Sequence, residues 1–357
     1  MKIVITGGGT GGHVVPNLAV IDEIKKRYPD ADLLYIGSGA EIEKKLIKDK
    51  IPYKQVPCGK LRRYFSFSNI IDLIKIPFGI LKSLFILIRF RPKVIFGKGG
   101  YVSVPVVIAG FILRIPTVIH ESDIHPGLAN RILARFVKQV AVAFPNTKEN
   151  FKKSFRHKVI TIGNPIRKEI LRGDLKNGQK FFNLNQEQAV IFITGGSQGA
   201  KSLNFKIAEI IESLVVDFQV IHQYGNSPIA FKHPNYHPYN FLGKEMADAY
   251  TVSDLVISRA GANTVFEIAA LGKPCIFIPL SKKVSRGDQI LNANFIKEKS
   301  NTPVLEEENL SPVLLERTIR GLLEDEDELK EISMKMKNIF PTDAAKKIVD
   351  LIEKCLT

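Results

Sequence analysis

The chain has 357 residues, 45% of them hydrophobic and 24% charged, which is the composition of a soluble globular protein with core enough for two α/β domains. Its formal net charge of +15 asks for an anionic partner, whether nucleic acid, a membrane surface or phosphorylated ligands. The three cysteines, Cys58, Cys275 and Cys355, have no metal spacing and no even framework; this excludes a disulfide scaffold and fits a reducing cytoplasm. A strand is expected from Lys2, which leaves no room for a signal peptide. The most apolar run, Ile76 to Ile88, contains Pro77 and Lys82 and is shorter than the roughly 20 residues a membrane span needs.

Lys2-Ile3-Val4-Ile5-Thr6 reads as a buried strand, because β-branched residues run without polar interruption. The glycine-rich turn Gly7 to His13 follows, then an amphipathic helix to Lys26. A second strand covers Ala31 to Gly37, and a helix lies near Glu41–Lys48. Leu61 to Arg91 holds a long helix of Ile, Leu and Phe. Strands follow at Val94-Ile95-Phe96, Thr117-Val118-Ile119, Val140 to Ala143 and Val159 to Ile162. Gly163-Asn164-Pro165 breaks this pattern, and the polar stretch from Leu171 to Gln188 reads as a domain boundary.

The alternation then resumes, with strands near Ala189, Gln219, Leu255 and Cys275. The opening turn recurs as Thr194-Gly195-Gly196-Ser197-Gln198-Gly199-Ala200, an offset of 188 residues between Gly7 and Gly195. A helix from about Leu203 to Leu214 follows this second turn. Asp325 to Lys337 reads as a charged, solvated helix, and Ala344–Leu356 as a final amphipathic one. Such alternation implies two similar halves, each a mostly parallel sheet with helices on both faces.

In parallel α/β sheets ligands bind beyond the carboxyl ends of the strands. Three such ends in the first half carry unusual residues: Gly7 to His13, Gly97 to Tyr101 and His120 to Asp123. Glycine lets backbone approach a ligand, and amides at a helix start attract phosphate or sugar oxygens. Gly7, Gly9 and Gly12 formally satisfy the G-x-G-x-x-G fingerprint. The second strand nevertheless ends Tyr35-Ile36-Gly37-Ser38 without an acid, so a nicotinamide cofactor lacks its ribose anchor. Asp30-Ala31-Asp32 precedes its strand and reads as solvated turn acids rather than a metal site. In the second half Ser258-Arg259-Ala260-Gly261 to Glu267 is the densest constellation. Glu267 is either a favourable charge near a helix start or an acceptor for both ribose hydroxyls.

Together these motifs resemble the MurG family, the UDP-N-acetylglucosamine:muramyl-(pentapeptide)-pyrophosphoryl-undecaprenol N-acetylglucosaminyltransferases of bacterial peptidoglycan synthesis. The resemblance runs from Gly-Gly-Thr-Gly-Gly-His at 8–13, through Gly-Gly-Tyr at 99–101, His120-Glu121 and Gly163-Asn164-Pro165-Ile166-Arg167, to the 195–200 turn, the 259–267 segment and Asp288-Gln289 to Asn292. It implies an α/β GT-B fold, with two Rossmann-like domains across a cleft. Residues 1–163, joined by a C-terminal helix at 342–357, would take the acceptor and the membrane; residues 164–341 would bind UDP-GlcNAc. No metal and no cofactor are implied.

Carried over by position, Arg167 and backbone near Leu242-Gly243 would contact uracil, Glu267 the ribose and Ser197 the diphosphate. Ala262, Asn263 and Thr264, with Gln289 and Asn292, would hold the GlcNAc. Thr10, Gly11, Gly12 and His13 would close the site from the other side, with Gly99, Gly100 and Tyr101 on the acceptor side. The family commonly has Asn where this chain has Asp123, and an ionised acid cannot donate as an amide does.

The implied reaction is attack of the muramyl 4-hydroxyl of lipid I on C1 of GlcNAc, with inversion. His13 and Glu121 are the possible bases, His13 alternatively serving only as a hydrogen-bond partner of the sugar. The acceptor's lipid places the enzyme at the cytoplasmic face of the inner membrane, as a peripheral protein. Leu61–Arg91 suits an anionic surface, with Tyr64, Phe65, Phe67, Phe78 and Phe85 beside Arg62, Arg63, Lys75, Lys82, Arg89 and Arg91. One exposed patch is expected there, since a helix apolar all round is buried. Nucleic acid is not an expected partner, because no such motif appears. The alternative enzyme is another GT-B transferase with a glycolipid acceptor.

Overall fold

A computed structural model describes residues 1–9, 11–59, 67–196 and 199–356. Backbone contacts divide the chain into two units, Met1–Arg167 with Thr342–Thr357, and Lys168–Pro341.

In the first unit, the strands are β1 (Lys2–Thr6), β2 (Asp32–Gly37), β3 (Tyr53–Gln55), β4 (Val94–Gly97), β5 (Thr117–Glu121), β6 (Gln139–Val142) and β7 (Val159–Thr161). Among the described residues they form a seven-stranded sheet in the order β3-β2-β1-β4-β5-β6-β7, every pair parallel. The helices between them are α1 (Gly11–Arg27), α2 (Glu41–Ile47), α3 (Phe67–Phe90), α4 (Ser103–Ile112) and α5 (Leu128–Leu133). Ile3 and Ile5 of β1 face one cluster with Ile21 and Ile24 of α1, while Val4 faces another with Ile95 and Val106. A strand buried on both faces needs the uninterrupted apolar run that the sequence has. Asp32 begins β2 at the far end from the ligand edge, 3.8 Å from Lys2 Nζ.

In the second unit, β8 (Val190–Thr194), β9 (Gln219–Gln223), β10 (Tyr236–Tyr239), β11 (Leu255–Ser258) and β12 (Cys275–Phe277) form a parallel sheet in the order β10-β9-β8-β11-β12. Its helices are α6 (Leu175–Phe182), α7 (Lys201–Ala208), α8 (Ile211–Asp217), α9 (Glu245–Val252), α10 (Ala262–Leu271), α11 (Asp288–Ser300), α12 (Pro312–Glu324) and α13 (Glu326–Lys337). The chain then returns to the first unit as α14 (Ala344–Glu353), whose Ile348, Val349, Leu351 and Ile352 complete the core around α1. Arg27 Nη1 bonds Asp350 at 2.5 Å and Glu353 at 2.8 Å along that contact.

Four features of the structure go beyond the sequence reading, and one of them, the 203–214 helix, corrects it. The polar stretch from 171 to 188 contains a helix: Asp174 caps α6, Asn183 ends it in the left-handed conformation, and Gly178 lies against Val252 where a Cβ would come within 2.5 Å. The contact break falls after Arg167, beside the 163/164 boundary read from the sequence; Asn164 is buried and accepts from Lys98 of the first unit. The single helix expected over 203–214 is two, α7 and α8, broken at Ile210, which turns inward together with Ile211. The segment Tyr236-His237-Pro238-Tyr239 forms β10 at a sheet edge, where a proline is tolerated.

Candidate active site

Both strand orders reverse once, between β1 and β4 in the first unit and between β8 and β11 in the second. In open parallel sheets the crevice at such a reversal, beyond the carboxyl ends of the strands, is where ligands bind. Every Gly-rich turn singled out in the sequence follows one of these four strands.

In the first unit, α1 begins at Gly11, so His13 stands in its first turn, half-buried. Gly100 has φ +76°, and a Cβ there would lie 3.3 Å from His13 Nε2, so the imidazole rests on the 97–101 turn. Gly9, at φ +84°, leaves room for the Tyr101 ring, which a Cβ would meet within 2.6 Å. The structure therefore brings His13, Gly99, Gly100 and Tyr101 together at the β1–β4 reversal, with Gly11 and Gly12 at the helix start. Thr10 lies outside the described residues.

His120 and Glu121 are the last two residues of β5, where a strand ending at Ile119 was expected. The Glu121 carboxylate accepts from Ser122 N (2.8 Å), Asp123 N (3.1 Å), Gly127 N (2.9 Å) and Asn130 Nδ2 (3.0 Å). Four donors occupy the acceptor capacity of a carboxylate, so this group folds the 121–130 loop from within. Asp123 sits on that loop, half-buried, its carbonyl accepting from Thr147 Oγ1 at 3.2 Å.

Behind the loop lies Lys98, fully buried; its Nζ is 2.7 Å from His120 Nδ1 and 3.1 Å from Asn164 Oδ1, and it also donates to Ser122 Oγ. Burial pulls the Lys98 ammonium down to about 7 against the opposing pull of Glu121 and Asp123. Burial, and then the neighbouring Lys98, hold His120 well below the usual imidazole range. His120 is therefore neutral near pH 7; Nδ1 accepts from Lys98, and Nε2 donates to Gly163 O at 2.9 Å.

In the second unit, Gly196 has φ +83°, and among the described residues nothing lies within 4 Å of a Cβ position there. Ser197 and Gln198 lie outside the described residues. Gln223 Nε2 donates to Gly196 O (3.1 Å) and Thr194 Oγ1 (3.3 Å), while its Oε1 accepts from Leu242 N at 2.9 Å. One side chain thus ties the Gly-rich turn to the Leu242-Gly243 backbone. Gly243 itself is exposed, its N–H on Glu245 at 3.1 Å.

Gly261 caps α10, whose first turn carries Ala262, Asn263 and Thr264, with Glu267 buried one turn on. Gln289 Oε1 accepts from Leu280 N at 3.0 Å, and its Nε2 lies 4.0 Å from a Cβ position on Gly261. Asn292 is fully buried and donates to Ala260 O at 3.3 Å, supporting that turn from behind. Arg259 is also committed internally, Nη1 to Ile278 O (2.9 Å) and Nη2 to Ser202 Oγ (2.6 Å) and Glu307. Arg167, half-buried, is the last residue of the first unit before the chain crosses over.

Helix α3 buries Gly79, Ser83 and Leu87 and exposes Ile74, Phe78, Leu81, Phe85 and Ile88, each more than half accessible. At 3.6 residues per turn these five form one stripe, and Lys75, Lys82 and Arg89 form an exposed row beside it. Residues 61–66, with Arg62, Arg63, Tyr64 and Phe65, lie outside the described residues, as does the Phe67 side chain. Among the described residues no helix is long and apolar enough to cross a membrane.

Two Rossmann-like units, each with a Gly-rich turn at its sheet reversal, are the architecture of the GT-B class. The glycosyltransferase family 28 N-terminal domain matches residues 3–142, and the family 28 C-terminal domain matches residues 190–352. A UDP-N-acetylglucosamine--N-acetylmuramyl-(pentapeptide) pyrophosphoryl-undecaprenol N-acetylglucosamine transferase of Clostridium perfringens is 42% identical over 99% of this chain and 98% of its own length. The Treponema denticola enzyme of the same name is 42% identical over 90% and 88%. The crystal structure of Acinetobacter baumannii MurG superposes with a TM-score of 0.75 at 27% identity, covering 99% of each chain. A UDP-GlcNAc 2-epimerase from Neisseria meningitidis, at 15% identity and TM-score 0.72, shares the fold alone. The chain belongs to the MurG family within glycosyltransferase family 28.

Sequence reasoning missed Glu43, Lys98 and Gln223, the three side chains that hold these turns in shape. Gln223 ends a strand otherwise read as core, and Lys98 looks like an ordinary surface lysine between glycines. Glu43 comes six residues after the β2 tip that was searched for an acid.

Proposed function

We propose that this enzyme transfers N-acetylglucosamine from UDP-GlcNAc to the muramyl 4-hydroxyl of a polyprenyl-pyrophosphate-linked acceptor, the lipid I to lipid II step of peptidoglycan synthesis. The observation that carries the reading is 42% identity extending over 99% of the chain to a relative of that name, both strand reversals included. The second unit takes the donor. Its Gly196 turn and the start of α7 face the diphosphate with amides, and Ser197 adds a hydroxyl. Glu267 accepts from the ribose hydroxyls, and Arg167 with the Leu242-Gly243 backbone reads the uracil. Ala262, Asn263, Thr264 and Gln289 hold the sugar, with Asn292 fixing the turn behind them.

The first unit takes the acceptor along Gly99, Gly100, Tyr101 and Asp123. As the acceptor oxygen bonds to C1, the C1–O bond to the diphosphate breaks and UDP leaves from the opposite face, inverting the centre. His13 receives the acceptor proton; imidazole is the side-chain type best suited to act as a base at neutral pH. Glu121, saturated by four donors, serves as a loop brace in this scheme rather than as the base. The α3 stripe and its basic row dock the enzyme on the anionic cytoplasmic face of the membrane, each basic residue near that surface contributing about 1 kcal/mol. Transfer of label from UDP-GlcNAc to a lipid I analogue tests the reading. No transfer to it, but transfer to another glycolipid, would reassign the acceptor.

A further inference from the structure

One buried carboxylate in the first unit has no role in the scheme above. Glu43, in the first turn of α2, is fully buried. Its Oε1 accepts from Gly9 N (2.8 Å) and Ser38 Oγ (2.7 Å), its Oε2 from Ser38 N (2.7 Å), Gly39 N (3.2 Å) and Tyr53 OH (2.6 Å). These donors come from the turn after β1, the turn after β2 and strand β3. The carboxylate fits because positions 8 and 37 are glycine; a Cβ at either would overlap it. Ser38 also bonds the Tyr101 hydroxyl, so one carboxylate joins the Gly7–His13 turn to the acceptor-side tyrosine.

In a unit of this topology, amides after the first strand hold a ligand's phosphate, and the tip of the second strand holds its ribose. Here both places already contain a negative charge supplied by the protein. We propose that Glu43 is a built-in anion standing where a nucleotide's phosphate would bind, a positioning residue that closes this edge to nucleotide and sets the turn that presents His13. The same fingerprint glycines then serve two ends: the second unit's turn is assigned to the donor, and the first unit's is filled from within. The consequence for catalysis rests on the reading that His13 takes the acceptor proton.

The test compares full-length wild type with Glu43→Ala. A displaced His13 turn lowers kcat by about 100-fold while the KM for UDP-GlcNAc stays within about twofold, since the donor lies in the other unit. Added formate, refilling the anion site, restores part of kcat and raises the melting temperature of Glu43→Ala but not of wild type; equal chloride does neither. Inorganic pyrophosphate competes with formate for the vacated amides. Wild-type kcat in Glu43→Ala, a parallel loss of kcat and donor affinity, or indifference to formate overturns the proposal. If Glu43→Ala does not fold, Tyr53→Phe decides: it keeps the charge with one donor fewer, so a smaller fall in kcat at unchanged donor KM supports the proposal and an unchanged kcat overturns it. Absence of GlcNAc transfer by wild type would sink the functional reading alone, because formate binding to the variant is still read from its melting temperature.

Discussion

Replacing Lys98 by methionine probes the electrostatics beneath the acceptor edge. The Lys98 ammonium has three acceptors, His120 Nδ1, Ser122 Oγ and Asn164 Oδ1, none of them a carboxylate. Burial lowers its pKa from 10.5 to about 7. Between these values the unfolded chain holds the proton and the folded chain has released it, so stability rises with pH through the window. The penalty for the charged form is fully present below the folded value and disappears above the unfolded one.

One proton of difference is worth about 1.4 kcal/mol per pH unit; with the folded group half-titrated at neutrality, Lys98 adds about 1.5 kcal/mol from about pH 7 to 8.5. Urea unfolding of wild type and Lys98→Met at those two pH values measures it. Wild type should gain about 1.5 kcal/mol more than the variant over the interval. Lys273, also lowered by burial, is present in both proteins and cancels. A wild-type-minus-variant difference that stays flat across the window would refute a buried lysine titrating near neutrality.

Replacing His13 by alanine should lower kcat by about 10²–10⁴-fold in GlcNAc transfer with the donor KM little changed; near-normal turnover would remove it as the base. Glu121→Gln should instead lower thermal stability and raise the acceptor KM, because an amide turns N–H groups toward the loop donors that the carboxylate satisfies. Gln223→Leu should raise the donor KM selectively by loosening the Gly196 turn from Leu242, read by titration with UDP. Phe85→Asp and the pair Lys82→Glu with Arg89→Glu should each weaken sedimentation with anionic vesicles, only the charge pair doing so in a salt-dependent way; binding that ignores all three substitutions rules out this face. Ile348→Ala should cost about 2–5 kcal/mol in unfolding free energy, against about 1 kcal/mol or less for Arg27→Ala, whose partners are partly solvated.

The core strands were legible as short β-branched runs, closed by glycine in Lys2–Thr6 and Val190–Thr194, and local composition suffices to see them. Two edge strands were not: Tyr53–Gln55 and Tyr236–Tyr239 are polar and owe their conformation to a neighbour's backbone. Periodicity likewise merged α7 and α8, since it does not register a break whose residues stay apolar. At the sites, the glycines and His13 stood out by residue type and position. Glu121 looked the same on paper as a free base; its four donors come from its own loop, and only the folded loop reveals them. Glu43 and Gln223 are long side chains reaching between turns distant in sequence, a relation no spacing rule encodes.

The return of α14 to the first unit has a consequence for how the protein is made. Its apolar face covers Ile21 and Ile24 on α1, yet it leaves the ribosome only after the whole of Lys168–Pro341. Lys168–Pro341, uninterrupted in sequence, can fold while synthesis is still under way; the first unit cannot close its core until the whole of the second has been made. During that interval α1 presents an uncovered aliphatic row, which makes it the natural place for a chaperone to bind. Truncation ahead of α14 would leave the row bare for good, removing the support beneath the helix that carries His13.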